Sequence, residues 1–238
     1  MDFDYEKIQL KKLILRKGLV VTKKLITLSS GKKSHHYYDI KKIASDPIGI
    51  NLLSTVMLSE VLKFGPVKSV GGLEVGAIPI STEISIKGNE ADLNIGSFYV
   101  RKRPKEHGLK KIIEGQLVEP IVIVDDVITK GDSILLVINA LRQNRKKMLG
   151  ILTVIDRGGG KSLAKNGIKH STVFTEKDFS KQVRKRLREM GNSPHALKKQ
   201  PLYVLVSTFS VPIDITISGF DASDLRRIYE VWPLVLIN

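Results

Sequence analysis

Short runs of β-branched residues alternate with stretches of helical periodicity along most of this 238-residue chain. The runs at 121–124 and 148–155 are almost continuously apolar, which is typical of strands buried on both faces of a parallel sheet. Two further strands are predicted at 67–70 and 95–100. Because helical patterns separate these strands, residues 47–190 predict right-handed βαβ units. We therefore expect an α/β fold with a mostly parallel, twisted sheet that is flanked by helices.

The first 45 residues differ from this alternation. Apolar residues recur at near-helical spacing from 8 to 14, and Gly18, which follows basic residues, predicts the end of this helix. Residues 25–40 place turn residues between short β-type segments, which predicts a hairpin or an extended flap. We expect a small N-terminal hood and flap at 1–45, belonging to a domain that covers 1–190.

Two local signals lie between the hood and the strand at 95–100. Asp46 and Pro47 predict the N-cap and the first-turn proline of a helix. Gly71, Gly72 and Gly76 bracket a predicted loop after the strand at 67–70. A strand, a glycine-bearing loop and a helix in this order form a candidate anion site.

Residues 121–133, IVIVDDVITKGDS, carry the strongest chemical signal. Asp125 and Asp126 fall at the carboxyl end of a predicted strand, where ligands bind in open α/β sheets. The hydroxyl- and glycine-bearing loop at 129–133 opens a predicted helix at 134–141, so its N–H groups can attract a phosphate. The spacing matches neither a Walker loop nor a dinucleotide-binding turn. We predict a phosphate and ribose site; the plainer interpretation is a capped turn with two solvated aspartates.

The segment RKRPKEHG at 101–108 contains four cations and one histidine. Pro104 and Gly108 oppose helix formation, so we expect a mobile loop that attracts a diphosphate. A solvated surface loop or a nucleic-acid patch is the alternative for this segment alone.

Composition narrows the chemistry. The chain has no cysteine, which excludes disulfides, thiolate catalysis and cysteine-zinc sites, so any metal is expected to be oxygen-ligated, with Mg²⁺ the obvious candidate beside a diphosphate. No run reaches the roughly 18 apolar residues of a membrane span, and MDFDYEKIQLKK is too charged for a secretory signal. We expect a cytoplasmic protein without a membrane partner.

The net charge of +15 is unevenly distributed. Residues 141–200 contain 16 Lys and Arg against 4 Asp and Glu. A solvated helical surface such as 181–190 explains this excess at least as well as nucleic-acid binding does, because net charge alone indicates solubility and non-specific binding. We do not expect specific nucleic-acid binding, although the sequence does not exclude it.

The motif IVIVDDVIT resembles the phosphoribosyl pyrophosphate (PRPP) signature of type I phosphoribosyltransferases. Together with the flap TLSSGKKSHHYYD and the loop FYVRKRPKEHG, in that order and spacing, it resembles orotate phosphoribosyltransferases over residues 5–185. The resemblance implies the type I fold. It also implies the transfer of a phosphoribosyl group from PRPP to orotate, a pentosyl transfer of pyrimidine biosynthesis that yields orotidine 5′-monophosphate and pyrophosphate.

The resemblance assigns roles to particular residues. Orotate would contact Thr129, Arg157, Tyr37 and Tyr38, with the arginine suited to its carboxylate. Mg²⁺ would be bound through PRPP rather than directly by side chains. The implied PRPP-binding set is Arg101, Lys102, Lys105, His107, Asp125, Asp126, Val127, Ile128, Thr129, Lys130, Gly131, Asp132 and Ser133.

Catalysis is implied for the loop cations and the acid pair. Arg101, Lys105 and His107 would reach into the site of a neighbouring subunit while Lys102 serves its own, which implies a homodimer with shared sites. These groups would stabilise the departing diphosphate. Asp125 and Asp126 would fix the ribose and offset its positive charge; simple hydroxyl binding is the open alternative.

Three residues depart from the family pattern: Ser29 and Val75 stand where lysines are common, and Asp132 stands where glycine or a hydroxyl residue is usual. A carboxylate near 4 Å from a phosphate would cost about 4 kcal/mol at an effective dielectric of about 20. Two other functions therefore stay open: a PRPP-binding regulatory protein without turnover, and transfer to another base. The extension at 191–238 has no predicted role.

Adjacent histidines in the flap raise the question of a metal site. His35 and His36 point to opposite faces of a strand, so we expect flap surface rather than a pair of metal ligands.

Overall fold

The computed structural model describes residues 3–28, 30–103 and 111–191. Within these residues the elements follow one another as α1 (Asp4–Leu13), a π-helical turn (Ile14–Gly18), β1 (Leu19–Thr27), β2 (Lys33–Tyr38), α2 (Ile40–Ala44), α3 (Pro47–Leu62), β3 (Ser69–Leu73), α4 (Ala77–Glu90), β4 (Gly96–Val100), β5 (Ile113–Gly115), β6 (Ile121–Ile128), α5 (Asp132–Gln143), β7 (Met148–Asp156), α6 (Gly160–Lys165), β8 (His170–Thr175), a 3₁₀ turn (Glu176–Phe179) and α7 (Ser180–Gly191).

A six-stranded sheet in the order β5-β4-β3-β6-β7-β8 forms the centre of the domain. All its neighbouring strands are parallel except the antiparallel pair of β4 and β5. The predicted α/β class and mostly parallel sheet are confirmed.

Strand β6 is buried on both faces, as its β-branched run predicts. Val122 and Val124 belong to a core cluster shared with α1, α3 and α4, whereas Ile121 and Ile123 belong to a cluster shared with α5 and α6. All four side chains are fully buried. Helices therefore cover both faces of the sheet, and the strand ends remain as the edge where polar groups can gather.

The hood consists of α1, the π-helical turn and the β1–β2 hairpin. The predicted hairpin is confirmed, although β1 begins at Leu19, ahead of the predicted segment, where it pairs with Tyr38. The predicted cap of α3 is also confirmed, because the Asp46 carboxylate accepts a hydrogen bond of 2.9 Å from the Gly49 N–H.

Two sequence predictions about the strands are wrong in detail. Gly71 and Gly72 lie inside β3 and not in a loop. Glycine is needed at both positions because a Cβ atom would lie 2.1 Å from a backbone oxygen, that of Phe98 for Gly71 and that of Val124 for Gly72. Strand β6 continues through Asp125 and Asp126 to Ile128, since β7 pairs with it over this length.

Several expectations fall outside the described residues. These include the C-terminal extension beyond residue 191, Ser29, and the segment 104–110 with Lys105 and His107. Across the three described ranges, no helix combines the length and apolar character needed to cross a membrane.

Candidate active site

The acid pair lies where β6 approaches its end. Asp125 is only 8% exposed, and its Oδ1 accepts a hydrogen bond of 3.0 Å from the Asp126 N–H. The Asp126 Oδ1 accepts one of 2.7 Å from the Val127 N–H. Because successive residues of a strand face opposite sides, Asp125 lines a small cavity of about 60 Å³ and Asp126 lines a second cavity of about 400 Å³.

The two carboxylates influence each other's protonation. Burial raises the pKa of Asp125 to about 8, and the neighbouring charge of Asp126 adds to this increase. The charge of Lys41 opposes this increase but does not cancel it, so Asp125 retains its proton close to neutral pH.

The predicted phosphate loop surrounds the 60 Å³ cavity. Gly131 adopts a left-handed backbone with φ of 94°, and α5 begins directly after it, so the helix N-terminus faces this region. Lys130 is exposed, and it does not line the cavity. The loop residues that do line it are Val127, Ile128, Thr129, Gly131, Asp132 and Ser133.

Ser30, in the flap turn, reaches the same cavity and was missed by the sequence reasoning. Its side chain is 9% exposed, and its Oγ has no hydrogen-bond partner among the described residues. A buried hydroxyl without a partner is costly, so this atom is poised for a ligand that enters the cavity. No local pattern indicates this role, because only the folded hairpin brings position 30 to the β6 loop.

The 400 Å³ cavity lies between the flap and the strand ends. Its volume is in the range of small-molecule sites. The structure brings together all four residues that the resemblance assigns to orotate: Tyr37, Tyr38, Thr129 and Arg157. The other lining residues are Ile26, Thr27, Leu28, Lys41, Asp126 and Val127.

Tyr38 forms a wall of this region. Its ring packs 5.1 Å from Phe179, and the Arg157 guanidinium lies 5.3 Å from its centroid. Burial raises the pKa of Tyr38, and the nearby charge of Glu176 reinforces this shift. The phenol is therefore neutral at every pH at which the protein would operate.

Arg157 is held by a polar network behind the cavity. Its side chain is 7% exposed; Nε and Nη2 donate hydrogen bonds of 3.1 and 2.9 Å to Glu176 Oε1. Nη2 also donates to Ser34 Oγ at 3.2 Å, and Nη1 donates to the His36 carbonyl at 3.4 Å. The hydrogen bond from His36 lowers the pKa of Glu176 to about 2, with burial opposing and the charge of Arg157 supporting this decrease.

This network corrects one prediction and adds a residue. His35 is exposed, as flap surface should be, but the prediction is wrong for His36, whose side chain is 15% exposed and lies 2.9 Å from Glu176 Oε1. Glu176 was missed altogether. Alternation along β2 does place His36 and Tyr38 on one face, but nothing local indicates a partner so distant along the chain.

Lys41 on α2 is a second missed residue. Its Nζ lies 3.7 Å from Asp126 Oδ2, and it lines the 400 Å³ cavity. It brings a second cation, beside Arg157, to the lining of this cavity.

The proposed diphosphate side is described in part. Arg101 and Lys102 follow β4, and the Lys102 N–H donates a hydrogen bond of 2.9 Å to Glu74 Oε1. Val75 is 63% exposed in the loop after β3. A Cβ atom at Gly76 would lie 3.0 Å from Asp126 Oδ2, so a larger residue here would require the carboxylate to shift.

A larger cavity of about 650 Å³ lies elsewhere, among α1, α3 and α4. Its lining contains none of the residues at the carboxyl ends of the strands. We assign the active site to the smaller pair of cavities, because they combine convergent polar groups with a strongly shifted carboxyl group.

Solved structures resemble this chain over about three quarters of its length. An orotate phosphoribosyltransferase of Mycobacterium tuberculosis in complex with PRPP has a TM-score of 0.60 at 27% identity, covering 74% of this chain and 99% of that one. An adenine phosphoribosyltransferase of Leishmania donovani, with a TM-score of 0.51 and 11% identity, shares the fold alone, over 71% of this chain and 80% of its own. The fold and the site together define a type I phosphoribosyltransferase.

Sequence relatives give the particular family. The orotate phosphoribosyltransferase of Aquifex aeolicus is 37% identical over 174 residues, which cover 71% of this chain and 94% of the relative. That of Pyrococcus abyssi is 34% identical over 166 residues, covering 68% and 88%. No protein-family model matches the chain. The chain belongs to the orotate phosphoribosyltransferase family.

Proposed function

We propose that this protein transfers the 5-phosphoribosyl group of PRPP to orotate, forming orotidine 5′-monophosphate and pyrophosphate in pyrimidine nucleotide synthesis. One observation carries the proposal: an acid pair links a phosphate-sized cavity to a cavity lined by Tyr37, Tyr38 and Arg157. The first space lies at the N-terminus of α5, which suits the 5-phosphate, and the second has the aromatic rings and the cation that suit a flat, carboxylated base.

PRPP would bind along the end of β6. The N–H groups of residues 129–133, the hydroxyls of Thr129 and Ser133, and the Ser30 Oγ would donate hydrogen bonds to the 5-phosphate. Asp125 and Asp126 would accept hydrogen bonds from the ribose hydroxyls. Lys130, an exposed residue of this loop, would add a favourable charge.

Orotate would occupy the 400 Å³ cavity. The rings of Tyr37 and Tyr38 offer it apolar contact, and Thr129 can bond its polar edge. Arg157 would bind its carboxylate through the Nη1 donor that its other hydrogen bonds to the described residues leave free.

The reaction exchanges one bond at C1 of the ribose. As the bond to the diphosphate oxygen breaks, the diphosphate leaves with the electron pair. A ring nitrogen of orotate forms the new bond and releases its proton, which the departing diphosphate or water accepts. Arg101 and Lys102, with Lys105 and His107 from the segment outside the described residues, would stabilise the negative leaving group. The Asp126 carboxylate would offset the positive charge on the ribose.

Mg²⁺ suits this site as an ion that PRPP carries. No group of three or more His, Asp or Glu side chains in the described ranges could hold a metal. Asp125 and Asp126 leave few free oxygens for an octahedral ion, so its remaining ligands would come from PRPP and water. When bound, Mg²⁺ would neutralise charge on the diphosphate.

The proposal includes a homodimer with shared sites, in which the 101–108 loop of one subunit contributes to the other. It also includes a cytoplasmic location, because both substrates are anions that do not cross membranes unaided.

Product analysis tests the reaction. Incubation with orotate, PRPP and Mg²⁺ should yield orotidine 5′-monophosphate and pyrophosphate in equal amounts. Lys105→Ala should abolish most of this yield without lowering the melting temperature. Binding of PRPP without any product would contradict the proposal and favour a regulatory role.

A further inference from the structure

Glu176 lies behind Arg157 as seen from the orotate cavity. It opens the 3₁₀ turn after β8, while Arg157 follows β7, the strand paired with β8. Arg157 lines the cavity and Glu176 does not. Glu176 therefore acts on the cavity through Arg157 rather than by contact with a ligand there.

The contacts of Arg157 leave little of its guanidinium free. Of its five N–H donors, one on Nε and one on Nη2 point to Glu176, and the other on Nη2 points to Ser34. One N–H of Nη1 points to the His36 carbonyl. Within the described part of the chain, one Nη1 donor is left for a ligand, so the two-pronged grip that an arginine can give a carboxylate is unavailable in this arrangement.

Glu176 also reduces the positive charge that Arg157 presents to a ligand. The Glu176 carboxylate touches both Nε and Nη2, and its pKa of about 2 keeps it ionised. It offsets most of the positive charge that the buried guanidinium would otherwise present to an anion. The Tyr38 ring, whose centroid lies 5.3 Å from the guanidinium carbon, carries no full charge, so among the described residues Lys41 is the other cation that lines the cavity.

His36 fixes the carboxylate from a second direction. Its Nε2 lies 2.9 Å from Glu176 Oε1 and 3.1 Å from Arg157 Nη2. Glu176 thus has two partners that hold one oxygen in place, which is the arrangement expected of a positioning residue.

We propose that Glu176 is a positioning and specificity-determining residue that fixes the orientation of Arg157 and weakens its attraction for a carboxylated base. It has two separable effects. Its hydrogen bonds orient Arg157, which favours orotate binding, whereas its charge repels the orotate carboxylate, which opposes it. The proposal rests on the proposed function of this cavity as the orotate site.

Two substitutions separate these effects. Glu176→Gln keeps the shape and one acceptor oxygen but removes the charge, so the KM for orotate should fall about three- to tenfold. Glu176→Ala removes both, so Arg157 loses its orientation and the KM for orotate should rise about three- to tenfold above that of Glu176→Gln. In Glu176→Gln, the KM for PRPP and kcat should stay within about twofold of the unsubstituted protein.

Glu189→Gln is the matched control. Glu189 lies on the exposed face of α7 and pairs only with Lys185 among the contacts described. Its substitution by Gln therefore removes the same charge without affecting Arg157. Its KM for orotate should be unchanged. A change as large as that of Glu176→Gln would mean that overall charge is responsible, and the proposal would be overturned.

Other results would also overturn it. These are a Glu176→Gln KM for orotate equal to or above that of the unsubstituted protein, equal KM values for the two variants, or an equal change in the KM for PRPP. Dissociation constants for orotidine 5′-monophosphate, measured by calorimetry, should follow the same order and require no turnover. If the unsubstituted protein did not consume orotate, the proposed function would fail, and these constants would still decide the role of Glu176.

Discussion

At the scale of single residues, the burial of Asp125 makes the free energy of unfolding depend on pH. Its pKa of about 8 in the folded protein exceeds the value of 3.8 expected for an unfolded chain. Between these pH values the folded state holds a proton that the unfolded state has lost. Unfolding then releases a proton, so the free energy of unfolding falls as the pH rises through this window.

Asp125→Asn removes this titration and keeps the acceptor oxygen. At about pH 8 the variant should exceed the unsubstituted protein in free energy of unfolding by more than about 1 kcal/mol, and the difference should shrink towards about pH 4. Urea unfolding at both pH values measures it, with Glu189→Gln as the control. Parallel pH profiles for the two proteins would contradict the assigned burial.

Asp132 gives a second prediction at this scale. It is exposed at the first position of α5, yet it lines the phosphate cavity. Asp132→Asn should lower the KM for PRPP about three- to tenfold, because a repulsive charge is removed. It should also reduce stability by about 0.3–1 kcal/mol, because a favourable charge at the helix N-terminus is lost. Steady-state kinetics and thermal unfolding measure the two effects; an unchanged KM would mean that the side chain points away from PRPP.

The sequence reveals some site residues and conceals others for a physical reason. One short segment contains Asp125, Asp126 and the loop after them, so a local motif predicts that they lie together. Ser30 and Glu176 belong to the same site but come from the flap and from the end of β8. Only tertiary structure brings them to β6 and Arg157, and no local sequence pattern predicts such contacts.

At the scale of elements, neighbouring strands restrict which residues β3 can contain. Its two glycines suggest a loop in the sequence. They are required because β4 and β6 approach β3 too closely for a side chain at these positions. The β-branched strands β6 and β7 were predictable because burial on both faces demands that composition. The three-residue β5 and the polar β8 were not predicted, because neither has a continuous apolar run.

Gly72→Ala tests this explanation. Its Cβ would lie 2.1 Å from the Val124 oxygen, so backbone must shift and the free energy of unfolding should fall by about 1–3 kcal/mol. Gly191→Ala, at the end of α7 with open space around its Cβ, is the control. Chemical denaturation of both variants gives the comparison; equal stabilities would indicate that β3 can move freely away from β6.

At the scale of the whole molecule, the basic excess has a partly structural role. Arg186 on α7 donates hydrogen bonds to the carbonyls of Leu15 and Leu19, with 2.8 Å for the latter. Val183 on the same helix is buried. Helix α7 therefore anchors the hood to the domain, and the prediction of a merely solvated surface is wrong for this face of it.

The proposed sharing of sites between subunits predicts complementation. Lys105→Ala removes a loop residue and Asp126→Asn removes a pocket residue, so each protein alone should have little activity. A mixed dimer would contain one site with both defects and one with neither. An equal mixture, after subunit exchange, should recover about a quarter of normal activity if mixing is random. No recovery would indicate self-contained sites.

The most direct test of the central claim is the rate at which orotate absorbance is lost when the purified protein is added with PRPP and Mg²⁺. Adenine, hypoxanthine and uracil serve as the competing bases in parallel reactions. We predict turnover with orotate alone, because Arg157 and the tyrosine-lined cavity suit a flat base with a carboxylate. Turnover of another base in preference to orotate, or of none, would contradict the account.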